Sequence, residues 1–424
     1  MSWQRWWLAA GFAAAMVTSV SAANADGASS CSSITRANLV PCVMRASLGR
    51  RAGVAGIEAA EGRVAATEPW FPAGPAVSLT GARRDGAEGK AFNWSASHGV
   101  EIEVAGQRGA RRGAALAEKE AETKNVEALG RSSAALAWRT YFDVLAAEEA
   151  LRLAERLEAV SRRVWDAARA AAERGALPGV EADLAEAQYV RVTQRRIEAQ
   201  REERTSRSEL AALLGRESDQ NMDVHGALDP LSEAERVDKA HAVEPPEAAA
   251  LEAEGRAFSA RATSWRRDRV PSPTLSVFAE NDGFNEKVLG VGLAFPLPLP
   301  EPIGRMHAGE ITENEALARR AALLAADSRR SAKAELAAAI ASYEAAREST
   351  RTYTKERVER AEATLASLAA AVEAGRIGTR DAVILQEPLF DLLFGAVEAR
   401  RLLCVASANV ARAAGVRLED GGVR

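Results

Sequence analysis

Aromatic residues make up only 5% of this 424-residue chain, and cysteine occurs three times. Compact mixed domains draw heavily on aromatics for their cores. Their scarcity here, with alanine, glutamate, arginine and leucine abundant, points to long helices. Cys31, Cys42 and Cys404 are too few to scaffold a disulfide-rich fold. Charge of one sign is missing as well. A formal net charge of −4 leaves no basic face for nucleic acid. Beyond about Val20 no apolar run is long enough to cross a bilayer as a helix, so strands are the only route into a membrane for the mature chain. P-loop, nucleophile-elbow and zinc-protease patterns are absent. His98, His225, His241 and His307 stand apart from one another and from cysteine. No catalytic, cofactor or bound-metal site is therefore expected, and the chain is not read as an enzyme.

What is present begins with an export leader over residues 1–25. Arg5 gives a positive start, an apolar run extends from Trp6 to about Val20, and Ala23-Asn24-Ala25 places small residues before Asp26. Residues 26–43 form an N-terminal segment. Cys31 either bridges to Cys42 or carries a lipid, and Ala28-Ser29-Ser30 lacks the aliphatic residue usual three places before a lipidated cysteine.

The rest of the chain is written twice. Gly175 and Gly375 each end a long helical run, and each is followed six residues on by an acid, Glu181 or Asp381. Each acid opens a second helical run. Upstream, Tyr141 and Tyr343 occupy similar places, and each half holds two short alternating segments. In the first, Val77 and Leu79 share parity, as do Val100, Ile102 and Val104. In the second, Leu275 and Val277 share one face, and Leu289, Val291 and Leu293 another. Period two with one apolar face is the strand signal, and it suits both a buried hairpin and a barrel strand. The expected strands are about 76–82, 98–105, 274–280 and 288–295. Residues 83–93 and 281–287 read as hairpin loops, with Trp70, Phe71, Phe92, Trp94 and Phe284 as flanking aromatics. The first repeat then spans 44–215 with a helical hairpin at 107–214. The second spans 247–416 with a hairpin at 305–414. Residues 216–246 join them, as an equatorial belt or a simple linker, and 417–424 form a tail.

From Gln107 to Arg174 the chain is free of proline, and so is the stretch from Arg305 to Ala374. Each run, if helical, is about 100 Å long at 1.5 Å per residue. Leu153, Leu157, Val160 and Val164, and later Leu365, Leu368 and Val372, fall at heptad-like spacing. The opening helices, about 44–68 and 247–269, and the return helices, about 181–214 and 379–414, are shorter. Stacked in pairs they match the long runs, so each half is expected to set one uninterrupted helix beside one broken partner. Pro388 is expected to bend or break the second return helix. Two strand pairs supply four strands. Four strands cannot close a barrel, and an open edge in lipid leaves backbone groups unsatisfied. If they span a membrane, the protein is an oligomer.

Four stretches resemble the TolC family of outer-membrane efflux proteins, and more closely its CzcC-like, heavy-metal branch. Gly175-Ala-Leu177-Pro-Gly-Val-Glu181-Ala-Asp183 and Gly375-Arg-Ile377-Gly-Thr-Arg-Asp381 resemble the family's paired helical tips. Leu293 to Pro300 with Gly304-Arg305, and Val104 to Arg111, resemble the exits from strand into long helix. The resemblance implies a mainly α fold with a small β part. It implies a homotrimer whose twelve strands form an outer-membrane barrel in contact with lipid and whose helices form a periplasmic tunnel. It also implies tips that meet a periplasmic adaptor beneath an inner-membrane transporter of the resistance-nodulation-division type. The channel would be a passive conduit for metal ions or small toxic compounds. Gly175, Leu177, Glu181, Asp183, Gly375, Ile377 and Asp381 are the candidate tip or gate residues. Glu181 and Asp381 have two compatible readings, ordinary acids at helix N-termini and a carboxylate ring that selects cations. A periplasmic adaptor or a coiled-coil scaffold without a pore is the alternative. An adaptor usually carries one hairpin, and a plain rod does not explain the strand pairs.

Overall fold

The structure is a computed structural model, which describes residues 31–86, 89–217, 222–237, 244–281, 286–299, 303 and 306–416. The leader at 1–25, His241, Phe284, the Gly304-Arg305 link and the tail at 417–424 lie outside the described residues.

The chain opens with a short strand, β1 (Ser33–Thr35), and two helices, α1 (Leu39–Ala46) and α2 (Leu48–Ala65). One opening helix was expected. Ser47 divides it, because its side chain accepts from the Arg50 N–H and caps α2 afresh. Cys31 and Cys42 are bridged, with Cα atoms 5.9 Å apart, which closes the open choice at Cys31 in favour of the disulfide.

Strands β2 (Ala76–Gly86) and β3 (Gly89–Glu101) follow, then α3 (Gln107–Glu173) and α4 (Gly179–Leu213). At 67 residues α3 is one unbroken helix about 100 Å long. The second half repeats this order with α5 (Pro246–Asp268), β5 (Thr274–Asn281), β6 (Lys287–Ala294), α6 (Ala308–Thr352), α7 (Lys355–Glu373) and α8 (Thr379–Ala413). The segment between the halves carries β4 (Asp223–His225).

Three expectations are corrected. The second long helix is interrupted at Tyr353–Thr354. A run of β-branched and aromatic residues, Thr350, Thr352, Tyr353 and Thr354, weakens the helix there, and the Thr354 side chain accepts from the Arg357 N–H to start α7. Of the two outcomes expected at Pro388, a bend or a break, the break does not occur: α8 runs through it. Residues 83–86 and 89–93 are strand rather than loop. The apolar alternation stops at Ala82, but the ladder continues through Arg83–Phe92, Arg84–Ala91 and Asp85–Lys90 to the pair Gly86–Gly89. Backbone pairing does not need apolar side chains, only partners. Phe92 and Trp94 accordingly lie within β3 instead of flanking it.

The largest core cluster sits at the waist of the helices. Trp138, Tyr141 and Phe142 of α3 are fully buried there with Leu39, Val40 and Val43 of α1 and Phe390, Leu393 and Val397 of α8. The segment joining the halves belongs to this core. Val224 of β4 pairs with Ile34 of β1 in a parallel two-stranded sheet, and Leu231 is buried with its N–H donated to Ser407 Oγ. It is thus a belt stapled to the waist. Outside it, α2 and α5 pack on α3 toward the strands and α4 packs on α3 toward the opposite end. Smaller alanine-rich clusters hold these contacts, such as Ala121 with Ala253 and Ala257.

Candidate functional site

All four longer strands join one antiparallel sheet in the order β2-β3-β5-β6. Directly paired residues share a face. One face carries Val77, Leu79, Phe92, Trp94, Val100, Leu275, Val277, Leu289, Val291 and Leu293. Most of these are exposed, with Leu79 at 78% and Leu289 at 87%. His98 interrupts the face between Val77 and Val277. The other face is small and polar, with Ser78, Thr80, Ser95, Ser97, Thr274, Ser276 and Gly292. Phe278 and Val288 are its apolar exceptions, and the Phe278 ring fills the space over Gly290. Ile102 and Val104 fall beyond the end of β3. Pro271 and Pro273 precede β5 and have no N–H to donate, so the ladder ends where the Ile102 N–H donates to the Pro273 carbonyl. Two edges, β2 and β6, have no partner strand among the described residues. An apolar face of this size left open is a contact surface awaiting a partner.

Below the sheet the chain enters the helices through a hydrogen-bonded neck. Gln107, 2% exposed, accepts from the Ala105 N–H through Oε1 and donates to the Val270 carbonyl through Nε2. Arg108 donates to the carbonyls of Thr67 and Glu68 under the Trp70 ring. Arg111 pairs with Glu103 and lies 4.0 Å from Asp268. Burial pushes the Asp268 carboxyl above the usual carboxylate range, with Arg111 pulling the other way.

At the far end both hairpins close by the same device. Gly175 (φ 75°) donates to Ala172 O while Ala176 donates to Ala171 O. Gly375 (φ 66°) donates to Val372 O while Arg376 donates to Ala371 O. This pair of bonds satisfies the last carbonyls of a helix and needs a left-handed residue, which glycine adopts without steric cost. Glu181 and Asp381 each occupy the third position of the helix that follows, where an acid meets the positive end of the helix dipole. The two tips lie side by side. Leu177 packs with Ala168, Ala185 and Val383, and Ile377 packs with Val164, Leu368 and Ala382. Asp183 and Asp381 are exposed, Glu181 is half-buried, and Val180, Leu184, Ile384 and Leu385 lie open to solvent around them.

Sequence reasoning missed the contacts that couple the tips. Arg195 of α4 pairs with Asp391 of α8 at 3.2 Å, and Arg191 pairs with Glu387, holding that carboxyl below its usual range. Between them runs a buried polar layer in which Ser161 Oγ meets Gln386 Oε1 at 3.4 Å. Gln188 Nε2 and Gln386 Nε2 are buried there without a partner. No spacing signal in either return helix marks this layer. Among the described residues no group of three or more His, Cys, Asp or Glu converges as a metal site, and no helix is long and apolar enough to cross a membrane.

Residues 50–216 match a family model described as outer membrane efflux protein. Comparison with curated protein sequences finds no match. The chain resembles solved structures over nearly its whole length. A membrane protein from Pseudomonas aeruginosa superposes with a TM-score of 0.72 at 17% identity, covering 90% of this chain and 93% of that one. The outer membrane protein VceC of Vibrio cholerae gives 0.71 at 16%, covering 90% and 96%. The open state of the MtrE outer membrane channel of Neisseria gonorrhoeae gives 0.70 at 18%, covering 92% and 91%. At these identities the likeness is one of fold.

Proposed function

We propose that the chain is one subunit of an outer-membrane channel in a tripartite efflux pump. It is a passive conduit for metal ions or small toxic compounds, located in the outer membrane with a periplasmic extension. The observation that carries this reading is the sheet. It has an apolar exposed face, a small and polar opposite face, and two edges unpartnered among the described residues, and it sits at one end of a set of helices of which α3 alone is about 100 Å long. In the order β2-β3-β5-β6 the edge strands run antiparallel to each other, so β6 of one copy can pair with β2 of the next and close an all-antiparallel barrel. Three copies give twelve strands. The efflux-family match over the first repeat and the fold shared with outer-membrane channels support the same reading.

The opposite end supplies the partner surface. Two paired tips present Leu184, Ile384 and Leu385 beside Glu181, Asp183 and Asp381. That mixture suits docking of a periplasmic adaptor, which in turn joins an inner-membrane transporter. Repeated by symmetry, the acids form a ring at the tunnel entrance that favours cations. The heavy-metal preference rests on the resemblance to the CzcC-like branch. The test is conductance in planar bilayers. The purified protein is expected to open ion-conducting channels, and Glu181→Ala with Asp381→Ala is expected to lower cation selectivity while assembly is kept. Absence of conductance would overturn the channel reading, and unchanged selectivity the acid ring.

A further inference from the structure

The two repeats enter their long helices in the same way but with different residues. The residue before α3 is Gly106 (φ 74°, ψ 25°), and the residue before α6 is His307 (φ 52°, ψ 29°). Both are left-handed. Glycine takes that conformation freely, whereas a side chain there brings Cβ against the following carbonyl. His307 is the only non-glycine residue with positive φ among the described residues. A strained backbone persists only where its surroundings hold it.

The surroundings are unusual. The imidazole stacks on Trp265 of α5, with ring centroids 4.8 Å apart and planes at 29°. Its Nδ1 is buried, makes no hydrogen bond, and lies 3.5 Å from Glu310 Oε1 in the first turn of α6. Asp268, at the end of α5, faces it electrostatically. Behind Asp268 stand Arg111 of α3, 4.0 Å away, and Glu103, which Arg111 pairs. One Glu103 carboxylate oxygen is buried without a partner. Of the other cations at this end of α5, Arg267 is exposed to solvent. Arg269 donates to the Met306 carbonyl, and Arg266 pairs with Glu315. The imidazole thus meets two acids, Glu310 and Asp268, and the second is shared with Arg111.

We propose that His307 is a proton-responsive joint between the sheet and the second long helix. Protonated, its Nδ1–H binds Glu310 and its charge attracts Asp268, which locks the start of α6 against the end of α5. Neutral, the side chain keeps the Trp265 stack, and the cap keeps the Ile311 N–H to His307 carbonyl bond and the Arg269 bond to the Met306 carbonyl. Imidazole is the side chain that ordinarily changes charge between about pH 5 and 8, so the two states are compared across that range, with the tighter joint expected at its acid end. The joint stands apart from the channel reading and holds in a monomer as well as in an assembly.

The test is thermal unfolding of the purified full-length protein from pH 8 to pH 5.5. Wild type is expected to gain about 2 °C over His307→Gly on acidification. At pH 8 the glycine variant is expected to match or exceed wild type, because the strain is relieved. His307→Asn, which tolerates the left-handed region and does not titrate, is expected to lack the acid gain too, and Glu310→Gln to halve it. Trp265 fluorescence, taken as the difference between wild type and His307→Gly, is expected to titrate over the same range. Glycine and asparagine variants with the wild-type pH profile would overturn the proposal. So would variants that lose as much stability at pH 8 as at pH 5.5, since His307 would then be only a packing residue.

Discussion

Gly175 and Gly375 were legible in the sequence as the ends of long helices, and the structure supplies the reason. Their left-handed backbone closes the last turn of each helix by the same two hydrogen bonds. Gly215 and Gly415 repeat that device at the ends of α4 and α8, forty residues on in each half. These escaped notice because no acid follows them at the tip spacing. A valine at Gly375 is expected to cost about 1–2 kcal/mol, because a β-branched side chain there meets the following carbonyl. Thermal unfolding measures it, and an unchanged midpoint would mean that the turn relaxes around the substitution. Cys404 was read as one unremarkable cysteine of three. In the fold it is fully buried in the waist, and burial pushes its thiol up to about 12. It is expected to resist maleimide under native conditions at pH 7.5 and to react fully in denaturant. Native labelling would show that the waist opens.

Among the elements, order and duplication were legible because apolar periodicity records them. Where the periodicity lapses, the reading failed. The arginine-bearing end of β2 pairs with the start of β3 along the backbone, and the belt around β4 is held by isolated residues, Met222, Val224, Leu228 and Leu231. The break before α7 depends on local capping by Thr354, which heptad counting does not register. The sheet is where element-scale reasoning is tested most sharply. Leu79 and Ser97 lie on opposite faces. If the apolar face meets lipid, Leu79→Arg is expected to cost about 2–4 kcal/mol near the bilayer midplane, whereas Ser97→Arg on the lumen side is tolerated. Outer-membrane yield and heat resistance of the assembled protein report the difference. Equal tolerance at both positions would place the sheet outside the membrane.

For the whole molecule, the waist core accounts for how one chain holds two hairpins in register. Trp138, Tyr141 and Phe142 from the first long helix meet Phe390 and Leu393 from the second return helix, and the belt crosses over them. Tyr141 Oη donates to the His225 carbonyl at 2.7 Å, which ties the belt to α3. The single chain leaves two demands unmet, the open edges of the sheet and its exposed apolar face. We propose that both are met by further copies in a lipid bilayer, and this is the central claim. Its most direct test is to fractionate cells expressing the tagged full-length chain, extract the outer membrane in mild detergent, and image the purified particles by electron microscopy. The account predicts trimers, each with a short barrel and a helical tube about 100 Å long below it. A monomer or dimer recovered from the soluble periplasm would contradict it, and would mean that the edges β2 and β6 are met by something other than copies of this chain.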